Sequence, residues 1–292
     1  MNVIETKDLT KSYGKSRGIE NLNLTVEQGD FFGFIGPNGA GKSTTIRTLL
    51  GLIKPTGGSA KVLGFDTVEE QQKLLPLIGY LPSEINFYSG MKVKDAIKYS
   101  ADLRKKDCAE AAGALCERLS LDTSKKVDDL SLGNRKKVGI VCAVQHAPEL
   151  LILDEPTSGL DPLMQREFFN IPKEQSARGA TIFFSSHILS EVQAYCKTAA
   201  FIKEGKIILS DKVEQLESTG AKKVTLRGIA DAEPLTKSVG AKNVSHVHAE
   251  DGVVSFLYKG DVKKLLTALT DLPFSDVNIT EPSLEEIFMH LY

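Results

Sequence analysis

The segment Phe31-Phe32-Gly33-Phe34-Ile35, followed at once by Gly36-Pro37-Asn38-Gly39-Ala40-Gly41-Lys42-Ser43-Thr44, constrains this chain more than any other. An apolar run with no polar alternation reads as a strand buried on both faces. The glycines after it allow backbone turns closed to other residues, and a helix then runs through Leu50 to Gly51. Strand, glycine loop and helix together match the pattern Gly36-x4-Gly41-Lys42-Ser43. In such a loop, backbone N–H groups converge on phosphates at a helix N-terminus that carries partial positive charge. Lys42 adds a point charge for the β- and γ-phosphates, and the Ser43 hydroxyl is placed for Mg²⁺. Gly36, Pro37, Asn38, Gly39, Ala40, Gly41, Lys42, Ser43 and Thr44 are therefore the nucleotide-binding candidates.

The rest of the chain supplies a sheet for this loop. Val3–Leu9 and Ile19–Val26 read as short N-terminal strands, joined by a turn at Tyr13-Gly14. Leu150–Leu153 and Ala180–Phe184 return to buried-strand character, with a helix from about Pro162 to Arg178 between them. Residues 92–147 are mainly helical, with Val93, Ala96, Ile97, Ser100 and Leu103 at helical spacing, as are Val138, Val141, Cys142 and Gln145. Alternating strands and helices predict an α/β fold with a largely parallel sheet and a helical insertion at about 88–147. After Gly220 the pattern changes to strand, helix, strand, strand, helix, strand, the order of a small ferredoxin-like α+β unit. The expected division is thus 1–220 and 221–292, with Ser218-Thr219-Gly220 as the boundary.

Asp154 ends the run Leu150-Leu151-Ile152-Leu153 and is followed by Glu155. A carboxylate at a buried strand end can hold Mg²⁺ directly or through water, and a second one beside it can accept a proton from attacking water. Next to a phosphate loop, the pair defines a triphosphate hydrolysis site with Glu155 as base. His187 follows the strand Thr181-Ile182-Phe183-Phe184-Ser185-Ser186 on the same sheet edge, in reach of the γ-phosphate or of the attacking water. His246 and His248 share a predicted strand face but have no further ligands nearby in sequence.

With these residues in order, the chain resembles the ATP-binding subunits of ABC transporters over roughly residues 1–220. Leu130-Ser131-Leu132-Gly133-Asn134-Arg135-Lys136 resembles the family signature, and Ser131 stands 23 residues before Asp154. Ser158-Gly159-Leu160-Asp161 looks like the D-loop. The resemblance implies a P-loop NTPase of ABC type with an N-terminal antiparallel β subdomain. It implies ATP and Mg²⁺ as cofactors, with Ser43 and Asp154 as metal ligands and Glu155 and His187 as the catalytic residues, His187 being the switch histidine. It makes Tyr13 the aromatic that stacks on adenine. Ser131, Gly133 and Asn134 would act on the site of a second ATP-binding subunit, the same chain or a similar one, closed head to tail over two ATP molecules, with Asp161 in the D-loop. Two positions depart from the family: Ser83 stands where a glutamine is usual after Leu81-Pro82, and Leu132 where the signature usually has a glycine. The ending Glu281-Pro282-Ser283-Leu284-Glu285-Glu286-Ile287-Phe288 is similar to the C-terminal extension of subunits serving exporters whose membrane protein is a separate chain.

Composition narrows the function classes. The chain has 36 basic and 38 acidic residues in 292, and residues 222–292 alone have 8 against 10, so neither part looks like a polyanion-binding module. Relatives that act on nucleic acid split their two ATP motifs with a long coiled coil or carry two motif sets, whereas Lys42 and Asp154 are 112 residues apart without sustained heptads. A small-molecule kinase would leave Ser131, Asp161 and His187 without roles. No apolar run approaches the ~20 residues of a membrane span, and no secretory signal opens the chain. The expectation is a cytoplasmic protein, peripheral on the inner face of the cell membrane and docked on a separate transmembrane permease near Phe87-Tyr88-Ser89-Gly90-Met91. The four cysteines, Cys108, Cys116, Cys142 and Cys196, form no C-x-x-C pair and are expected to be buried, reduced thiols.

Overall fold

The computed structural model describes the chain apart from residues 15, 218–219, 230–238, 240–242, 271, 284–285 and 288–292. The chain divides into two compact units, 1–211 and 212–292.

In the first unit the buried runs assemble as one six-stranded sheet, in the order Lys206–Lys212, Thr198–Lys203, Phe31–Ile35, Thr181–Ser186, Leu150–Asp154, Ile78–Leu81. From Thr198–Lys203 to Ile78–Leu81 every neighbour is parallel. Phe31–Ile35, Leu150–Asp154 and Thr181–Ser186 are buried at every residue, as strands covered on both faces require. The Phe32 and Phe183 rings stack at 5.7 Å, and Phe34 lies 5.4 Å from Phe183. Burial of such rings contributes about 1.5–3 kcal/mol each. The register pairs Ile35 with Ser186 and Asp154 with Ser185. All three strands therefore end at one edge, where sheets of this kind bind ligands.

The N-terminal sheet is antiparallel and larger than the sequence pattern suggests. Its first strand runs Asn2–Tyr13 rather than Val3–Leu9, and Ile19–Val26 divides into Ser16–Leu22 and Thr25–Glu27. Gly57–Val62 and Phe65–Asp66 add strands that propensity misses, because the first opens on two glycines. Gly58 is required there: it sits at φ +70° at a bulge opposite Asp8, and a Cβ would lie 2.2 Å from the Asp8 carbonyl oxygen.

Three helices, Val93–Leu103, Ala109–Arg118 and Leu132–Val144, form the insertion. Val93, Ala96, Ile97, Val138 and Val141 are buried as their spacing predicts, but Leu103 is 64% exposed and lies outside the core. Cys108, Cys116 and Cys196 are buried and Cys142 half-buried, all as free thiols.

The second unit has the strand order Val244–Glu250, Val253–Lys259, Ala221–Arg227, Asp276–Thr280, antiparallel throughout. With the helix Val262–Leu269, that order fits the split pattern expected from the sequence. Val224, Leu226, Val254, Phe256, Leu265 and Leu269 form its core. The helix expected at 232–238, and most of the one expected at 283–291, lie outside the described residues. A register shift between Ser245 and His248, with His246 at φ +54°, breaks the alternation that would have placed His246 and His248 on one face. His248 instead meets Glu250 at 3.2 Å, and no group of three metal-binding side chains occurs among the described residues.

Candidate nucleotide site

Gly36 leaves the central strand where only a glycine fits, since a Cβ would come 2.3 Å from the Ile202 carbonyl oxygen. Gly41 takes φ +110° and begins the helix Lys42–Leu49 without any side-chain cap. The first-turn N–H groups of a helix have no partners within it, so this end stays open to an anion. A small cleft of about 130 Å³ lies over it, lined by Gly18, Gly39, Gly41, Lys42, Ser43, Thr44 and Glu155. Lys42 is 4% exposed; its amino group donates to the carbonyls of Gly36 at 2.6 Å and Pro37 at 3.1 Å, and meets Glu155 Oε1 at 3.0 Å.

Glu155 joins the loop to the third strand end. Its Oε2 lies 3.2 Å from His187 Nδ1. The residue sits at φ +45°, a left-handed conformation that costs a non-glycine residue of order 1 kcal/mol or more, and its N–H donates to Ser185 Oγ at 3.1 Å. The Ser185 hydroxyl in turn donates to Asp154 Oδ1 at 2.7 Å. Burial pushes the Asp154 carboxyl above its ordinary range, while hydrogen bonds from Ser185 and Ser43 pull it down. Asp154 Oδ2 is buried with no hydrogen-bond partner among the described residues. An anionic oxygen in that state, beside the Ser43 hydroxyl, fits a hard divalent cation.

The other predicted residues are distributed unevenly. Tyr13 ends the first strand, 47% exposed, with Lys11 Nζ 5.3 Å from its ring centre. Ser131, Gly133 and Asn134 do not line the cleft: Ser131 is exposed and caps its own helix, accepting from Asn134 N–H at 3.3 Å. Asp161 caps the helix Pro162–Ala177 through Met164 N–H at 2.9 Å. Leu132 lies against Gly159, where a Cβ would come 2.6 Å from Leu132 Cδ2, so the departure from the signature pattern is matched by a glycine facing it. Ser83 is half-buried just past Leu81, which pairs with Leu153.

Sequence reasoning missed Ser185 as the link between Asp154 and Glu155. It also missed Glu191, which is 8% exposed and accepts from Ser186 Oγ at 2.6 Å beside His187. The Ser185-Ser186 pair ending a buried strand was the available signal, since a buried hydroxyl needs a partner.

A phosphate loop at the edge of a parallel sheet, faced by two acids and a histidine from neighbouring strand ends, defines a P-loop nucleoside triphosphatase. The family model "ABC transporter" matches residues 19–158. The bacitracin transport ATP-binding protein BcrA of Bacillus licheniformis is 35% identical over 99% of this chain and 97% of its own length. The probable multidrug ABC transporter ATP-binding protein YbhF of Escherichia coli is 35% identical over 75% of this chain and 39% of its own length. Among solved structures, an ATP-binding subunit of an ABC transporter is 29% identical with a TM-score of 0.69, covering 74% of this chain and 92% of that one. The chain belongs to the ABC transporter ATP-binding proteins, and it is a nucleotide-binding ATPase of that family. No helix among the described residues is long and apolar enough to cross a membrane.

Proposed function

We propose that this subunit converts ATP hydrolysis into export through a separate membrane protein, working as a head-to-tail pair with a second ATP-binding subunit. The observation that carries the reading is the position of Glu155, whose carboxylate stands between Lys42 and His187 with the buried, unpartnered Asp154 oxygen alongside. In this reading Gly36 to Thr44 hold the phosphates, Lys42 neutralises their charge, and Tyr13 stacks on adenine. Ser43 and Asp154 hold Mg²⁺, which when bound screens the phosphate oxygens and fixes their geometry. Glu155 takes the proton of the attacking water, with His187 orienting its carboxylate. The exposed Ser131, with Gly133, Asn134 and the Asp161 loop, serves the nucleotide of the second subunit. The relatives named for bacitracin transport and multidrug transport support export as the direction. The membrane partner places the chain on the cytoplasmic side, no nucleic acid takes part, and residues 221–292 form an accessory domain.

The test uses Glu155→Gln protein. In ATP it should form a stable dimer in solution, and from solubilised membranes it should carry an integral membrane protein of transporter type with it. A strictly monomeric protein in ATP, with no membrane protein retained, overturns the reading.

A further inference from the structure

A buried lysine that has no place in the nucleotide cleft stands directly behind Glu155. Lys136, on the helix Leu132–Val144, is 2% exposed. Its amino group donates to the carbonyls of Ser158 at 2.5 Å, Pro156 at 2.9 Å and Glu155 at 3.3 Å. An ammonium group has three N–H donors and no acceptor, so these carbonyls use it completely. Burial lowers the proton affinity of this amine, and the charges of Glu155 and Glu191 oppose the shift. A desolvated ammonium costs stability unless each proton is accepted, and an apolar residue would fill the same space without that cost. What the lysine adds is a grip on backbone that needs holding.

That backbone is the strained segment bearing the candidate base. Glu155 meets Lys42 and His187 from a backbone held at φ +45°. Ser185 holds the residue from the front by its N–H, and Lys136 holds it from behind by its carbonyl. One turn earlier on the same helix, Leu132 abuts Gly159 and Gly133 faces Leu160, whose Cδ2 lies 3.5 Å from a Cβ built on that glycine. The helix that begins at Ser131 therefore touches the segment from Glu155 to Leu160 along its length.

We infer that Lys136 is a positioning residue for ATP hydrolysis: by fixing the carbonyls of Glu155, Pro156 and Ser158 it sets the Glu155 carboxylate and ties it to the helix opened by Ser131. This rests on Glu155 being the base of the proposed function. Displacement of the Ser131 helix is then transmitted to the active carboxylate of the same chain through one side chain.

The experiment compares full-length Lys136→Met, Lys136→Gln, Glu155→Gln and the double variant Glu155→Gln/Lys136→Met. It reads single-turnover hydrolysis, affinity for a fluorescent ATP analogue, and thermal unfolding. Lys136→Met should bind nucleotide like the wild type while hydrolysis falls roughly 10- to 100-fold, the scale of a misplaced catalytic group. Lys136→Gln, with two donors for three carbonyls, should fall between the two and stands in if the methionine variant does not fold. In the double variant the losses should not multiply, because the lysine acts only through Glu155. Near-normal hydrolysis by a folded Lys136 variant beside an inactive Glu155→Gln, or a full second loss in the double variant, overturns the inference alone. Wild-type hydrolysis by Glu155→Gln overturns the base assignment, and the inference with it.

Discussion

Two helices of the first unit begin at candidate phosphate-binding turns, and they begin differently. The helix Lys42–Leu49 opens on Gly41 with no side-chain cap, so its free N–H groups face a cleft closed by Lys42 and Glu155 of the same chain. The helix Leu132–Val144 opens on Ser131, whose own hydroxyl oxygen accepts from Asn134, with Leu132 45% exposed beside it. The first end presents its N–H groups to a cleft lined by its own chain. The second is locally satisfied, and its first residues are exposed. At its far end this second helix is firmly rooted: Gln145 donates to the Ile97 carbonyl at 3.0 Å, and Arg104 Nε donates to His146 Nε2 at 3.2 Å. A helix rooted at one end and open at the other suits a part that carries a contact.

The largest effect is expected in the cleft over the first helix, which Glu155 lines. Glu155→Gln should retain ATP binding while phosphate release falls by the ~10²–10⁴ typical of a lost general base; near-normal turnover would remove Glu155 from the role. Ser131→Arg should cut hydrolysis by about 10²-fold, the scale of one lost oxyanion donor, while isolated monomers bind ATP as before. Loss of ATP binding by those monomers would place Ser131 in its own chain's pocket and erase the contrast between the two helices.

The rooted end is open to a pH test. Burial, followed by the Arg104 charge, lowers His146 from 6.5 to about 4. The folded state therefore keeps this imidazole neutral, while the unfolded chain protonates near 6.5. Stability is present above that value and is lost as pH falls from about 6.5 towards 4, by up to about 3 kcal/mol at 1.36 kcal/mol per unit. Denaturant titrations of wild type and His146→Asn across this window should differ in slope, and equal slopes would show that His146 does not titrate on unfolding.

Smaller effects are expected around Asp154. Ser185→Ala removes the donor to Asp154 and an acceptor of the Glu155 N–H, and should cost about 1–3 kcal/mol of stability, read by chemical denaturation. Ser83→Ala should change the Mg²⁺ concentration for half-maximal hydrolysis by less than ~3-fold, because Mg²⁺ readily keeps water in place of a protein oxygen. A large rise would make this short side chain a ligand after all.

Local chemistry was legible in the sequence. The buried run Phe31–Ile35, the glycines at 36 and 41, and the acids ending Leu150–Leu153 each announce their role through hydrophobic pattern or backbone freedom, which depend on neighbours in the chain. Ser131 and Asp161 were legible only through the family resemblance, and the structure shows each capping the helix that follows it. The weaker strands were not: Gly57–Val62 has little propensity and forms because Asn2–Tyr13 offers it a partner. The departure of Leu103 from the core and the bulge at His246 likewise depend on contacts that no periodicity records. The site divides in the same way. The sequence by itself determined which groups carry charge and where the backbone can turn. Only the tertiary structure decided that Ser185 would link Asp154 to Glu155, that Glu155 would adopt a left-handed conformation, and that a lysine 19 residues earlier would hold its carbonyl. Those contacts join strand ends and a helix that are distant in sequence, and such pairings exist only once the sheet has set its register.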